Sequence, residues 1–427
     1  MSTVTESPAA AESGQGRDRR TDRVPAPRGR RAHSRRRHNA GFWAVAFAFT
    51  AVMAFATVPA PLYVIYQARD GFPTFTTTVI FAAYGVGVVG SLYLAGHLSD
   101  VHGRKPLILV SIALELVAAV LFLLWNDVSG LIVARLVTGL GVGTLTATAT
   151  AHLGELRVRA TGSEASAKGA SVAAGVVNLG GLSLGALVGG GLAEFVGQPL
   201  MVPYVVFVVA LAVAFVVVLA APETVGRPET PVAYRPQRMQ APEGKGAAFW
   251  AAGTAAFAAL AVQGLFTSVA PSFLGTTFHV TDRLAAGATT FGVFAASAVS
   301  QVVFARLAQR TQIRLGLVLL VGGLVVLAVA AIVLQVAGFI GGGVIAGAGV
   351  GLLFRASIAS AGALVGPEER GGVLAATFLI AYAGLTVPVV AVGAALLVVP
   401  TLPVLLAYVV FVIVLAVFAG TRLAARA

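Results

Sequence analysis

Three ionisable side chains stand inside stretches otherwise free of charge, namely Glu115, Arg135 and Arg355. Burial favours the neutral form of an acid and a nearby guanidinium favours the charged form, so a carboxyl under both influences can take up and release a proton. Glu115 with Arg135 is the candidate pair for proton coupling. Neutral polar groups in the same apolar surroundings are Asn178, Gln263 and Gln301, with Tyr63, Tyr66, Tyr84 and Tyr382 as aromatic surface. Tyr63, Arg135, Asn178, Gln263 and Arg355 are the expected substrate-binding residues. The low charge of the interior suits an apolar or weakly cationic compound, because an ion needs compensation in a low dielectric. Two arginines without evident partners suit an organic anion instead. Other chemistries lack their residues: there is no Cys, the six His are scattered, and neither His-Glu-x-x-His nor Gly-x-x-x-x-Gly-Lys-[Ser/Thr] occurs. No metal centre, ATP cradle or cofactor is expected, and energy must come from a gradient, taken to be protons.

The elements that position these groups are set by hydrophobicity. Of 427 residues 58% are hydrophobic and 11% charged, with a mean hydropathy of +0.90, and residues 371–421 hold no Asp, Glu, Lys or Arg. An ordinary soluble chain is about one quarter charged, so the solvent here is lipid. Twelve apolar runs of spanning length follow, at 41–66, 76–96, 106–125, 130–151, 170–192, 200–221, 247–272, 285–305, 315–336, 338–361, 372–396 and 401–420. Pro400 and Pro403 split the last pair, and Gly338 splits the ninth from the tenth. Period-two alternation is missing, which excludes barrel strands and leaves an all-α integral membrane protein. Glu115 lies about 14 Å into the third run from Pro106, near the middle of the hydrocarbon.

Lys and Arg set the orientation. With a cytoplasmic amino terminus, 25 of the 29 fall on the inside, Arg69 and Arg283 fall outside, and Arg135 and Arg355 are embedded. Such a bias puts both termini in the cytoplasm and the chain in the cell membrane as a multi-pass protein. Residues 1–40 form a basic tail too polar to bury a core, expected to be disordered beside anionic lipid. Nucleic-acid binding is not expected, since no aromatic residue interleaves with its arginines. A 26-residue first run is also too long for a signal peptide.

The chain contains a duplication. Phe42-Trp43 recurs as Phe249-Trp250, Gly139-Leu-Gly-Val-Gly143 as Gly347-Ala-Gly-Val-Gly351, and the loop 96–105 aligns with 305–314, at offsets of 207, 208 and 209. The expected organisation is two pseudo-symmetric six-helix bundles, 41–221 and 247–427, joined by a polar, proline-bearing cytoplasmic linker at 222–246. Gly103 permits a tight turn in the loop, Pro106 suits the first turn of a following helix, and Asp100 can pair with Arg104 or accept from a helix amino terminus.

Gly96-His-Leu-Ser-Asp100-Val-His-Gly103-Arg104-Lys105 resembles the signature loop of the major facilitator superfamily, G-x-L-a-D-r-x-G-r-k, at the place that family has it. The resemblance extends over residues 41–420 and implies that Gly96, Asp100, Gly103 and Arg104 act as a conformational latch between two halves. Arg135-Leu-Val-Thr-Gly139-Leu-Gly141-Val-Gly143 is similar to the family's R-x-x-x-G-x-G element. Gly181, Gly185, Gly189 and Gly190 resemble its antiporter element, with Ala186 where a proline is usual; three of these glycines share one face, so a neighbouring helix can approach closely. The resemblance implies a bacterial drug:proton antiporter-like protein. The expected function is monomeric, proton-coupled efflux of a drug-like or metabolite molecule by alternating access. The competing reading is a proton-coupled importer or uniporter of an organic anion, sugar or other small solute.

Overall fold

The computed structural model describes residues 28–95, 98–225 and 240–426. The elements found there are helices: α1 (Arg28–Thr57), α2 (Tyr63–Asp70), α3 (Thr74–Ala95), α4 (Leu98–His102), α5 (Arg104–Leu124), α6 (Val128–Thr161), α7 (Ser166–Phe195), α8 (Val202–Ala220), α9 (Gly246–Ser268), α10 (Ala270–Thr277), α11 (Arg283–Val303), α12 (Gln309–Ile332), α13 (Val336–Gly362), α14 (Pro367–Ala395) and α15 (Thr401–Ala424). Among the described residues twelve of them are long and apolar enough to cross a membrane, all but the short α2, α4 and α10. An even number of crossings among the described residues brings the start of α1 and the end of α15 to one face of the bundle, here the terminal face. The other is the distal face.

The outside of the bundle fits lipid rather than water. Leu124, Val398 and Phe195 are 82%, 84% and 77% exposed, among many exposed valines along the same helices. Apolar patches on that scale are not left bare in water. Small residues fill the inside, where glycines let backbones touch. A side chain at Gly185 would run into the Ala54 carbonyl of α1, and the Cβ of one at Gly189 would lie 2.7 Å from the Val58 carbonyl. Gly190, one residue on, faces α11 instead, 2.5 Å from the Arg283 carbonyl by the same construction.

The duplication is visible in three dimensions. Phe42 and Phe249 are buried while Trp43 and Trp250 beside them are exposed, and each pair meets edge to face at 5.4 and 5.6 Å. Gly139 packs on the α3 backbone as Gly347 packs on that of α11. The short helices α2 and α10 begin at Tyr63 and Ala270, 207 positions apart. Both follow a break the hydrophobic runs did not show, because apolar residues continue through it. Proline makes the break: Pro59 and Pro61 have no N–H to extend α1, and Pro271 sits at the start of α10.

Two further boundaries differ from the sequence expectation. α1 begins at Arg28, so residues 28–40 of the expected disordered tail are helical; no proline interrupts the chain between Pro27 and Pro59, and an established helix propagates at little cost. Residues 1–27 lie outside the described residues. The break after α12 falls at Leu334-Gln335, before Gly338, because Leu334 adopts φ 55° and the Gln335 side chain caps α13 by accepting from the Gly338 N–H at 2.5 Å.

Candidate functional site

A cavity of about 50 Å³ lies on the seam between the first six spanning helices and the last six. Its walls include Thr57, Phe81, Tyr84 and Arg135 on one side and Gln263, Thr267, Phe294 and Tyr382 on the other. That volume holds a few waters. Arg135 is the only charged residue among those that line it.

The position of Arg135 follows from the end of α1. Past Thr57 the backbone tightens, and the Ala60 N–H donates to the Thr57 carbonyl at 3.0 Å instead of reaching back to Ala56. The Ala56 carbonyl is left over, and Arg135 Nη1 donates to it at 2.7 Å. The guanidinium carbon sits 4.6 Å from the centre of the Tyr84 ring and 5.6 Å from that of Phe81. Rings so placed compensate part of the charge. Arg135 is 1% exposed and its Nε has no hydrogen-bond partner. Tyr63, buried and with its hydroxyl unpartnered, is within electrostatic reach of Arg135.

Glu115 is fully buried and neither carboxyl oxygen has a hydrogen-bond partner. The expected contact with Arg135 is not made: Glu115 forms no ion pair, and its carboxyl packs on Gly141 of α6, where a Cβ would strike it. Helical geometry gives the reason. Gly141 is six residues beyond Arg135, roughly 9 Å along α6 and on a different face, so one residue looks toward α5 and the other toward the seam.

The other expected binding residues separate. Gln263 joins Arg135 in the central cavity. Arg355 lies instead in a second cavity of about 130 Å³, toward the terminal face, with Ser171, Gly175 and Gln301. Asn178 stands between the two on α7, one turn from Gly175 and one from Leu182 of the central cavity. Thr57, Phe81, Thr267 and Phe294 were not singled out from sequence, since small hydroxyls and phenylalanines are common throughout the apolar runs.

At the terminal face, Arg104 gathers the loop that precedes α5. Its guanidinium donates to Ser99 Oγ at 2.6 Å and to Glu155 at 3.3 Å. Gly103 has φ 100°, and a Cβ there would lie 2.7 Å from Glu223 Oε2. Gly96 and the side chain of Asp100 lie outside the described residues. The segment after α8 docks here: Glu223 accepts from the backbone N–H of Arg104, Lys105, Thr224 and Val225 at 3.1, 2.9, 2.7 and 3.0 Å. Thr224 donates to Glu155 and lies 2.8 Å from Nδ1 of the buried His152. No spacing in the sequence announces this cluster, because its members are up to 119 residues apart.

The Glu223 contacts give a pH prediction. Burial pushes its carboxyl up, but the four backbone donors outweigh that and hold it below the usual 4.5. A carboxylate lowered on folding stabilises the protein above its unfolded value and loses that contribution as pH falls through the folded one. Glu223→Gln is expected to cost roughly 1–2 kcal/mol at neutral pH. In thermal melts taken from about pH 7 down to about pH 3, the gap between variant and parent should hold above about pH 5 and narrow below it, as the pH falls through the lowered folded value; a gap unchanged over that range would refute the assignment.

The seam is fastened at the distal face. Arg283 donates its backbone N–H to Glu194 at 3.0 Å, and its guanidinium lies 3.7 Å from the same carboxylate. Ser272 on α10 donates to Gln67 on α2 at 3.1 Å. Gly190 packs on the backbone of Arg283 and Gly287, and Gly393 on the Thr78 side chain and the Phe75 backbone, with no room for a Cβ at either glycine. The Arg355 cavity lies away from these contacts, toward the terminal face.

A bundle of twelve spanning helices, closed along its seam at one face and hollow at mid-depth, has the construction of a membrane carrier. The sequence matches the family model described as Major Facilitator Superfamily over residues 42–388, and the chain belongs to that family. Two solved structures share the fold. One is the human organic anion transporter MFSD10 (TETRAN), at TM-score 0.65 and 15% identity, covering 90% of this chain and 99% of that one. The other is a POT family transporter in complex with 5-aminolevulinic acid, at TM-score 0.72 and 12% identity, covering 90% and 95%. A search of curated proteins gives no significant match. The chain is a secondary transporter.

Proposed function

We propose that this transporter couples proton entry to export of small organic solutes that carry an anionic group, drug-like molecules or metabolites, by rocker-switch alternating access. The observation behind the substrate class is Arg135: among the described residues it is the only charge lining the central cavity, and no carboxylate lies within 4.0 Å of it. A solute anion supplies the missing counter-charge, whereas a cation would meet like charge at the cavity wall. MFSD10, similar in fold, is itself described as an organic anion transporter. Acidic solutes thus displace the apolar or cationic compounds that composition alone favoured.

The excess of Lys and Arg at the terminal face supports placing it in the cytoplasm of a cell membrane. The fastened distal face is then the external gate, and residues 41–221 and 247–427 rock about it as a monomer, with 222–246 as the joint. Glu115 is the proton carrier, the 96–104 loop the cytoplasmic latch, and the α7 glycines the bearing against α1. Exchange is the assigned mode because those glycines resemble an antiporter element.

Purified protein in liposomes tests this with radiolabelled benzenesulfonate, which stays ionised and does not leak through lipid as a neutral acid. Efflux should accelerate when the proton gradient is directed inward and lose that acceleration with a protonophore, while tetraphenylphosphonium should not move. Transport of the cation without the sulfonate would overturn the proposal.

A further inference from the structure

We infer that the cleft between α7, α11 and α13 is a second anion site, a staging position that holds a carboxylate, sulfonate or phosphate group apart from Arg135. Its use in transport rests on the reading above; its existence does not. Arg355 is half-buried in this cleft and spends Nη1 on the Gln301 backbone carbonyl at 2.5 Å. Among the described residues the cleft is lined otherwise by Ser171, Val172, Gly175, Val176, Gln301 and Val302, with no carboxylate. A guanidinium in such surroundings carries further donors in a fork that matches an oxyanion, and it lacks the counter-charge that would settle it.

Two features distinguish the cleft from a chance gap around a snorkelling arginine. First, it straddles the seam: α7 comes from the first six spans, α11 and α13 from the last six, so an anion bound there touches both halves. Second, it is aligned with the central cavity. Gly175 lines the cleft and Leu182 lines the cavity, with Asn178 between them at spacings of three and four, so all three share one face of α7. Seven residues of helix separate the two sites by roughly 10 Å. A Cβ at Gly175 would point at the cleft, 3.8 Å from Gln301 Oε1 and so in ordinary contact, and only a longer side chain there would fill the space.

Labelling by phenylglyoxal, located by peptide mass spectrometry on the purified protein, reads the site directly. Benzenesulfonate should slow modification of Arg355 about fivefold in the parent and equally in Arg135→Gln, as expected for an independent charge-assisted contact. Gly175→Leu, which fills the cleft and leaves the arginine, should abolish that protection. In liposomes Arg355→Gln should raise KM about tenfold with kcat within about twofold, and Arg355→Lys should recover part of the loss. Unprotected Arg355, or protection that vanishes with Arg135, would overturn the inference. Sulfonate transport with Arg355 unprotected leaves the transport reading standing and removes this site. A protected Arg355 without sulfonate transport does the reverse.

Discussion

Arg135→Gln is expected to lower kcat/KM for benzenesulfonate about a hundredfold or more, the scale of truncating one partner of a buried charge pair. The side chain has one structural bond, to the Ala56 carbonyl, and rests against Tyr84 and Phe81. Losing the bond leaves a buried acceptor unsatisfied, at about 1–3 kcal/mol. Removing an uncompensated buried cation acts in the opposite direction. The two offset, so the variant should melt within a few degrees of the parent while transport disappears. Arg135→Lys keeps the charge but loses the fork and the flat stacking surface, and should fall between. Thermal melting with sulfonate uptake separates the outcomes: undiminished uptake in a folded Arg135→Gln protein would remove the guanidinium from the binding site.

The spans and the rare charges within them were legible because lipid punishes exceptions. A single Arg in an apolar run is conspicuous, and Arg135 and Gln263 do line the central cavity. What the sequence could not supply was azimuth and partner. Glu115 and Arg135 sit at depths that would allow a meeting, yet the six-residue step between Arg135 and Gly141 turns them to different sides of α6. For Arg355 an isolated charge in an apolar run suits both a place in the cavity wall and one low enough to extend toward the cytoplasm, and α13 sets it in its own cleft nearer the terminal face. The breaks after α1 and α9 carried proline signals within unbroken hydrophobicity, and it is the first of them that frees the carbonyl on which Arg135 depends. The cluster of Glu223, Thr224, His152 and Glu155 is set by tertiary packing, since α6 and the segment after α8 must meet before His152 and Glu155 reach Thr224, and α5 must join them before Glu223 caps its first turn.

These placements make α6 the shared element of binding and coupling, and Glu115→Gln tests that role. Arg135 faces the seam from one side of the helix while Gly141 holds the Glu115 carboxyl on another. A shift of α6 when an anion engages Arg135 therefore also alters the contact on which the carboxyl rests. By linkage, solute occupancy and proton occupancy then change each other's affinity by the same factor. With both oxygens unpartnered, the present arrangement suits the neutral acid; ionisation requires an arrangement that brings donors or water to it. Glutamine keeps the shape and cannot ionise. For one proton exchanged per solute at zero membrane potential, one pH unit supports about a tenfold concentration ratio. Parent protein in liposomes should reach that ratio, and Glu115→Gln should bring the solute only to equality across the membrane, while sulfonate-for-sulfonate exchange at equal pH continues near the parent rate. A binding residue would lose both activities together, so the split is specific to a coupling group. Tenfold accumulation retained by Glu115→Gln would assign the proton to another residue.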